Sequence, residues 1–259
     1  MKKIMINNRK ISPGNPTYII AEMSANHNKD FDTAVKILEQ AKKTGADAVK
    51  LQTYTPETIT IDCDNDYFKI KGTIWEGRNL FQLYKEAYTP WEWQPKLKKI
   101  ADRLKLDLFS TPFDDTAVDF LEKMNVPAYK ITSFELVDIP LLKKVAKTGK
   151  PVIMSTGMAT IDEIKDAVST LKGNNCKEIA LLKCTSAYPA SAQEANLRTI
   201  PDLSKTFNVP AGLSDHTMGS TVAVTAIALG ACIIEKHFCL SRNNSGPDAS
   251  FSMEPDEFR

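Results

Sequence analysis

The stretch VPAGLSDHTMGSTVAVTAIALGACIIEKHF (209–238) decides how the rest of the chain is read. It holds two apolar, strand-like runs, VPAGLSDH (209–216) and CIIEKHF (232–238), with a helical stretch between them. Each run brings a histidine to its end, and these are two of the three histidines in the chain. His216 and His237 lie one strand–helix–strand repeat apart, so the unit places them side by side at the same end of neighbouring parallel strands.

Working outward, the same unit recurs. Apolar, β-branched runs appear at 18–24 (YIIAEMS), 48–54 (AVKLQTY), 107–113 (DLFSTPF), 128–133 (AYKITS), 151–157 (PVIMSTG) and 178–186 (EIALLKCTS). Amphipathic stretches separate them. DTAVKILEQAKKTG (32–45) puts Ala34, Ile37, Leu38 and Ala41 on one face and ends at Gly45, a helix stop signal. TIDEIKDAVSTLKG (160–173) opens with Thr160 as N-cap and Glu163 three residues on. Eight runs that are apolar almost throughout describe a parallel sheet covered by helices, and eight is the number that closes a barrel. The expectation is an α/β fold, a (β/α)8 TIM barrel spanning residues 1–259, behind a short N-terminal hairpin. A doubly wound open sheet is the alternative.

Two features break the repeat. Residues 55–90 form a long polar and aromatic insertion, expected to lie over one mouth of the barrel. The chain reaches Arg259 just after MEPDEF, the start signal of the eighth helix, so that helix is expected to be truncated.

Composition excludes several classes of partner. Lys plus Arg (33) balances Asp plus Glu (32), leaving no electrostatic footprint for nucleic acid or an anionic membrane. No apolar run approaches the roughly 18 residues of a spanning helix, and MKKIMINNRKIS has no signal-peptide core. Five scattered cysteines fit reduced thiols, so a cytoplasmic location is expected.

In barrels the active site sits at the C-terminal ends of the strands. Here those ends carry Glu22, Asn26 and His27, Lys50 and Gln52, Ser110 and Thr111, Lys130 with Ser133 and Glu135, Ser155, Lys183 with Thr185, Ser186 and Tyr188, Ser214 with Asp215 and His216, and Glu235 with Lys236 and His237. A purely structural barrel has no use for polar groups at every strand end, so the pattern marks an enzyme. His216 and His237 can hold a divalent metal with open positions, or bind substrate directly as a hydrogen-bonded pair. Lys50 and Lys130 with Thr111, Ser133, Ser155 and Ser214 read as a phosphate cradle. Glu22 and Glu135 are the candidate proton-transfer groups, or else ionic partners of the lysines. Trp91 and Trp93 read as packing residues at a helix start.

The motifs AEMSANHN (21–28), KLQTY (50–54), FSTPFD (109–114), YKITSFE (129–135), IMSTGMA (153–159), LLKCTSAYP (181–189), GLSDHT (212–217), IEKHF (234–238) and GPDASFS (246–252) together resemble those of the sialic-acid synthase family. That family condenses phosphoenolpyruvate with an acetamido sugar to a nine-carbon 2-keto acid, releasing phosphate by C–O cleavage. Neuraminate synthases typically read E-I-G-x-N-H and K-F-Q-T. Met23, Ser24, Ala25 and Leu51 stand in those places, and Phe134 stands in SFE where glycine is expected; these departures, with YTPWEWQPKLKKIA (88–101), resemble the pseudaminic-acid branch, whose sugar is 2,4-diacetamido-2,4,6-trideoxy-L-altrose. The resemblance implies a Mn2+, Mg2+ or Co2+ ion on His216 and His237. It implies phosphoenolpyruvate on Lys50, Thr111, Lys130, Ser133, Ser155 and Ser214. Glu22 would then act near the reacting carbons, and Gln52, Tyr188, Glu135 and Asp248 around the sugar. It further implies a homodimer built with a C-terminal antifreeze-like domain, which nothing in the sequence matches. Three rivals stay open: the same reaction on N-acetylmannosamine or a legionaminate precursor, a Schiff-base aldolase using Lys130 or Lys183, and a non-catalytic barrel that binds a sugar or phosphate.

Overall fold

The computed structural model describes residues 3–244 and 246–259. Strands β3 (Tyr18–Glu22), β4 (Ala48–Thr53), β5 (Asp107–Pro112), β6 (Tyr129–Ile131), β7 (Val152–Ser155), β8 (Ile179–Cys184), β9 (Ala211–Asp215) and β10 (Ile233–His237) pair in parallel and close into a barrel, β10 returning to β3. The eight expected runs become the eight strands, and the open-sheet alternative falls because β10 pairs with both β3 and β9.

Helices follow the expected pattern. In α1 (Phe31–Lys43), Ala34, Ile37, Leu38 and Ala41 are the buried face, and Asp30 caps the N-terminus by accepting from Thr33 N–H. Gly45 follows at φ +92°, the left-handed position that ends the helix without a Cβ penalty. In α7 (Ile161–Gly173) the Thr160–Glu163 capping box forms as expected.

One end of the barrel is closed by the N-terminal hairpin of β1 (Ile4–Ile6) and β2 (Arg9–Ile11). Ile4, Ile6 and Ile11 are fully buried. The hairpin is tied to the N-terminal ends of the strands. Arg9 pairs with Asp47, Asn7 Nδ2 donates to Asp107, and Met5 N–H donates to Glu178. Only the opposite mouth, at the strand C-termini, is left for chemistry.

Inside the barrel, alternate residues of each strand share one face. Gly212 on β9 shows how tight the packing is. A Cβ there would sit 2.2 Å from the Ile233 carbonyl oxygen and 2.9 Å from Leu182 Cδ2. Above this apolar floor the interior turns polar.

The insertion spans the mouth as expected. It contributes α2 (Pro56–Ile59) and α3 (Leu80–Ala87), and Trp75 Nε1 donates to the Pro247 carbonyl oxygen at 2.8 Å, anchoring the insertion to the loop after β10. Trp91 and Trp93 open α4 (Gln94–Arg103) as packing residues: Trp91 stacks on Phe120 and donates to the Tyr54 carbonyl, and Trp93 meets His27 and Phe31 edge-on. A short α10 (Pro255–Phe258) occupies the position of the eighth helix start.

Candidate active site

Two connected chambers fill the open mouth. The inner one is lined by Glu22, Lys50 and Gln52, by Lys130, Ser133 and Ser155, and by Cys184, Tyr188, Ser214, His216, Glu235 and His237. Lys50 Nζ lies 2.7 Å from Glu22 Oε2 and 3.9 Å from Glu235 Oε1, and donates to Thr111 Oγ1 at 3.4 Å. Lys130 Nζ donates to Ser155 Oγ at 2.8 Å and stands 3.6 Å from Glu235 Oε1. Ser214 Oγ donates to that same carboxylate at 3.1 Å. Gly157 N–H donates to Ser133 Oγ at 2.9 Å, and a Cβ on Gly157 would sit 2.6 Å from Ser186 Oγ, so backbone and hydroxyls approach as closely as a glycine permits.

Burial sets the protonation behaviour. It raises the Glu22 carboxyl, with Lys50 pulling the other way and Glu235 adding to the rise. Burial alone would raise Glu235 too, but Lys130, Lys50 and the Ser214 hydrogen bond outweigh it and hold this carboxylate low. Lys130 is lowered by desolvation, against the pull of Glu235; Lys50 is raised, because Glu22 and Glu235 overcome its burial. The chamber thus holds two lysine side chains among hydroxyls, with two carboxyl groups between them.

The histidine rings face one another, with centroids 5.5 Å apart, on the rim of this chamber. His216 uses Nδ1 against the Thr185 carbonyl oxygen at 2.8 Å, which leaves Nε2 for a ligand. His237 Nδ1 is buried with no hydrogen-bond partner, and burial together with His216 holds its pKa well below the usual value. Tyr188 stacks over His216 at 4.3 Å between centroids. Gln52 Nε2 donates to Glu22 Oε1 and to Ser24 Oγ, both at 3.0 Å, while Ser24 Oγ–H donates to Asp248. Among the described residues no group of three or more His, Cys, Asp or Glu side chains forms a ligand cluster.

Twelve expected site residues are therefore brought together, and Glu135 stands back. It sits in a short helical turn after β6 and lines neither chamber, though it interacts electrostatically with Lys130 and Lys50. Burial raises its carboxyl to about 7. The folded protein thus holds this proton up to a higher pH than the unfolded chain, so stability falls as pH rises from about 4.5 through 7. The Glu135→Gln variant keeps the neutral form, and its stability relative to the wild type is expected to be greater at pH 8 than at pH 5. Urea unfolding at the two pH values checks this, and an unchanged gap contradicts it.

Several polar strand ends serve structure instead. Lys236 pairs with Asp215 at 2.8 Å and donates to the Thr217 carbonyl, bracing the residues beside both histidines from outside the chamber. Lys183 donates to the Cys184 carbonyl and to Thr185 and lines neither chamber, which removes it as a Schiff-base candidate at this site. Ser110 bonds Thr53, and His27 is held by Thr89. Glu235 lies at the centre of the chamber, between Lys50 and Lys130, a role that the strand-end pattern alone does not assign. Its signal was the two-residue spacing to His237, which puts both on one face of β10.

A parallel barrel whose open mouth gathers buried lysines, hydroxyls, carboxylates and paired histidines is the build of an enzyme acting on an anionic, oxygen-rich substrate. The chain belongs to the NeuB family, whose model matches residues 37–259. It is 48% identical over 244 residues to the pseudaminic acid synthase of Helicobacter pylori, covering 94% of this chain and 72% of that protein. It is 43% identical to the pseudaminic acid synthase of Campylobacter jejuni serotype O:23/36 over 93% of this chain and 71% of that one. The crystal structure of an N-acetylneuraminic acid synthetase from Leptospira borgpetersenii, in complex with citrate, superposes with a TM-score of 0.88 at 34% identity, covering 99% of this chain and 85% of that chain.

Proposed function

We propose that the protein condenses phosphoenolpyruvate with 2,4-diacetamido-2,4,6-trideoxy-L-altrose, the pseudaminic acid synthase reaction, giving a nine-carbon 2-keto sugar acid and phosphate. The observation that carries this reading is one chamber in which Lys50 and Lys130 converge with Ser155 and Ser214 directly against the facing His216 and His237. The 48% identity to a pseudaminic acid synthase supports the choice of sugar.

Lys50 and Lys130, in a site shielded from water, are placed to neutralise the phosphate and carboxylate of the enol substrate, with Ser133, Ser155 and Ser214 donating hydrogen bonds. Fixing this substrate beside the acceptor makes the C–C step effectively intramolecular. C3 attacks the acceptor's aldehyde carbon, and positive charge grows at C2. Glu22 is the carboxylate available to offset that charge. Water adds at C2, and the C2–O bond to phosphate breaks, so the bridging oxygen leaves with phosphate. His216 and His237 would hold a divalent cation, Mn2+, Mg2+ or Co2+. The fit rests on the buried, unpartnered Nδ1 of His237 and the Thr185 carbonyl that fixes His216. Such an ion supplies a Lewis acid for the acceptor aldehyde when bound. A cytoplasmic homodimer completes the proposal.

Metal-depleted enzyme is expected to be inactive and to recover with Mn2+, Mg2+ or Co2+ when given both substrates. Oxygen-18 placed at the bridging position is expected in the released phosphate. Its retention in the keto acid would overturn the C–O cleavage, and full activity without metal would overturn the role of the histidines.

A further inference from the structure

Every residue from 71 to 78 is exposed except Trp75. Among the described residues, the other hydrogen bonds and ion pairs of this segment stay within the insertion. Ile70 N–H donates to the Arg78 carbonyl at 2.9 Å, for example, and Arg78 pairs with Glu86. The indole is therefore the side chain by which this part of the insertion docks on the barrel, with Nε1 donating to the Pro247 carbonyl at 2.8 Å. Its ring meets two others, and each of those meets one of the paired histidines. One leg runs through Tyr188, 5.8 Å from the indole between centroids, to His216 at 4.3 Å. The second runs through Phe251, 6.3 Å from the indole, to His237 at 4.9 Å. The legs are cross-tied, because Tyr188 lies 5.4 Å from Phe251 and meets His237 edge-on at 6.0 Å. All but the closest of these separations fall in the range of interacting aromatic pairs, and that closest one is tighter still.

The two histidines depend on this bridge unequally. A ligating imidazole has to be held within about 10–20° of its productive orientation, and the usual device is a hydrogen bond on its second nitrogen. His216 has one, from Nδ1 to the Thr185 carbonyl oxygen. His237 Nδ1 has no hydrogen-bond partner, so the rings packed on it, Phe251, Tyr188 and His216, set its plane. Those rings are in turn covered from the solvent side by Trp75.

We infer that Trp75 is a positioning residue for the histidine pair: docked on Tyr188 and Phe251, it holds the rings of His216 and His237 facing one another, ready for a divalent cation. The inference rests on the reading of these histidines as a cation site and adds the part of the chain that keeps them in register. Docking of the insertion and binding of the cation are then one coupled equilibrium. Coupling is reciprocal, so the factor by which the docked indole strengthens cation binding is the factor by which the cation strengthens docking. Couplings of this kind run from about 5- to 150-fold, and about tenfold is expected here.

The test measures Mn2+ affinity of the metal-depleted protein by calorimetry, in wild type, Trp75→Leu, Trp75→Phe and Tyr67→Ser. Trp75→Leu removes the ring and is expected to bind Mn2+ about tenfold more weakly. Trp75→Phe keeps a ring on Tyr188 and Phe251 while losing the bond to Pro247, and is expected to stay within about threefold of wild type. Tyr67 is exposed on the same insertion, and its replacement is expected to change nothing. A second measurement needs no substitution: saturating Mn2+ is expected to slow amide hydrogen exchange across 68–80 of the wild type by about tenfold, by reciprocity. Wild-type affinity in Trp75→Leu, an equal loss in Trp75→Phe or Tyr67→Ser, or exchange across 68–80 that ignores Mn2+ overturns the bridge and leaves the cation site in place. If the wild type binds no Mn2+, the cation reading itself fails and the inference falls with it.

Discussion

Lys50→Met is expected to lower kcat/KM for phosphoenolpyruvate by about a thousandfold and the melting temperature by about 10 °C. The catalytic loss follows from removing a buried ammonium from the anion cradle, since charge stabilisation in a dry site is worth several kcal/mol. The stability loss has a separate origin. Lys50 is the counter-charge of Glu22 at 2.7 Å and a second one for Glu235 at 3.9 Å. Breaking a buried pair from one side costs about 3–5 kcal/mol because the remaining charge is stranded, and in a chain of this size each kcal/mol moves the midpoint by roughly 2–4 °C. The two effects separate in the double variant Lys50→Met/Glu22→Gln. That protein is expected to regain most of the lost melting temperature, because no unpaired carboxylate remains, and none of the lost activity. Thermal unfolding of the three proteins alongside initial rates checks this. Recovery of activity with stability would mean that the stranded Glu22 charge caused the loss and that turnover needs neither side chain, which would overturn the roles given to both.

The barrel was legible in the sequence because parallel strands buried on both faces need apolar residues along nearly their whole length. Runs such as IIAEM and IALLK therefore stand out against the amphipathic helices between them. The direction in which each polar strand end points was less legible. Lys50 and Lys183 both end apolar runs, yet Lys50 enters the barrel and Lys183 turns away to Thr185. Asp215 and His216, or Lys236 and His237, are chain neighbours on opposite faces, and only the closed register settles which member faces the chamber. Reading each strand back from its histidine in steps of two recovers Ser214 and Glu235, both of which line the chamber. The insertion offered no such handle. It has no sustained period, and which of its residues line the mouth depends on how 55–90 folds back over the barrel. Ser24 was visible only as a departure from a glycine. It occupies the left-handed region at φ +44°, where glycine is unstrained, and its hydroxyl joins Gln52 to Asp248. A polar contact at the barrel mouth thus accompanies the strained backbone.

His237→Leu is expected to abolish activity, by about a thousandfold or more, while leaving the metal-free protein as stable as the wild type or slightly more so. His237 is buried, and its Nδ1 has no hydrogen-bond partner. A polar atom left unpaired in the interior is a cost to folding, so an apolar side chain of similar length removes a penalty and breaks no bond. Desolvation and the neighbouring His216 depress its pKa, so the ring is neutral at physiological pH and its loss takes away no buried charge. Under the proposed chemistry the same substitution removes one of two imidazoles that hold the cation. Mn2+ binding, followed by calorimetry or by the electron paramagnetic resonance signal of the free ion, is therefore expected to fall at least a hundredfold. His216→Leu differs in one respect. His216 Nδ1 bonds the Thr185 carbonyl, which also accepts from Ala187 N–H at 2.9 Å, so its removal breaks one hydrogen bond and is expected to cost stability as well as metal. The contrast between the two variants is what a purely structural histidine pair does not produce: in that case His237→Leu would leave Mn2+ affinity and turnover where they were.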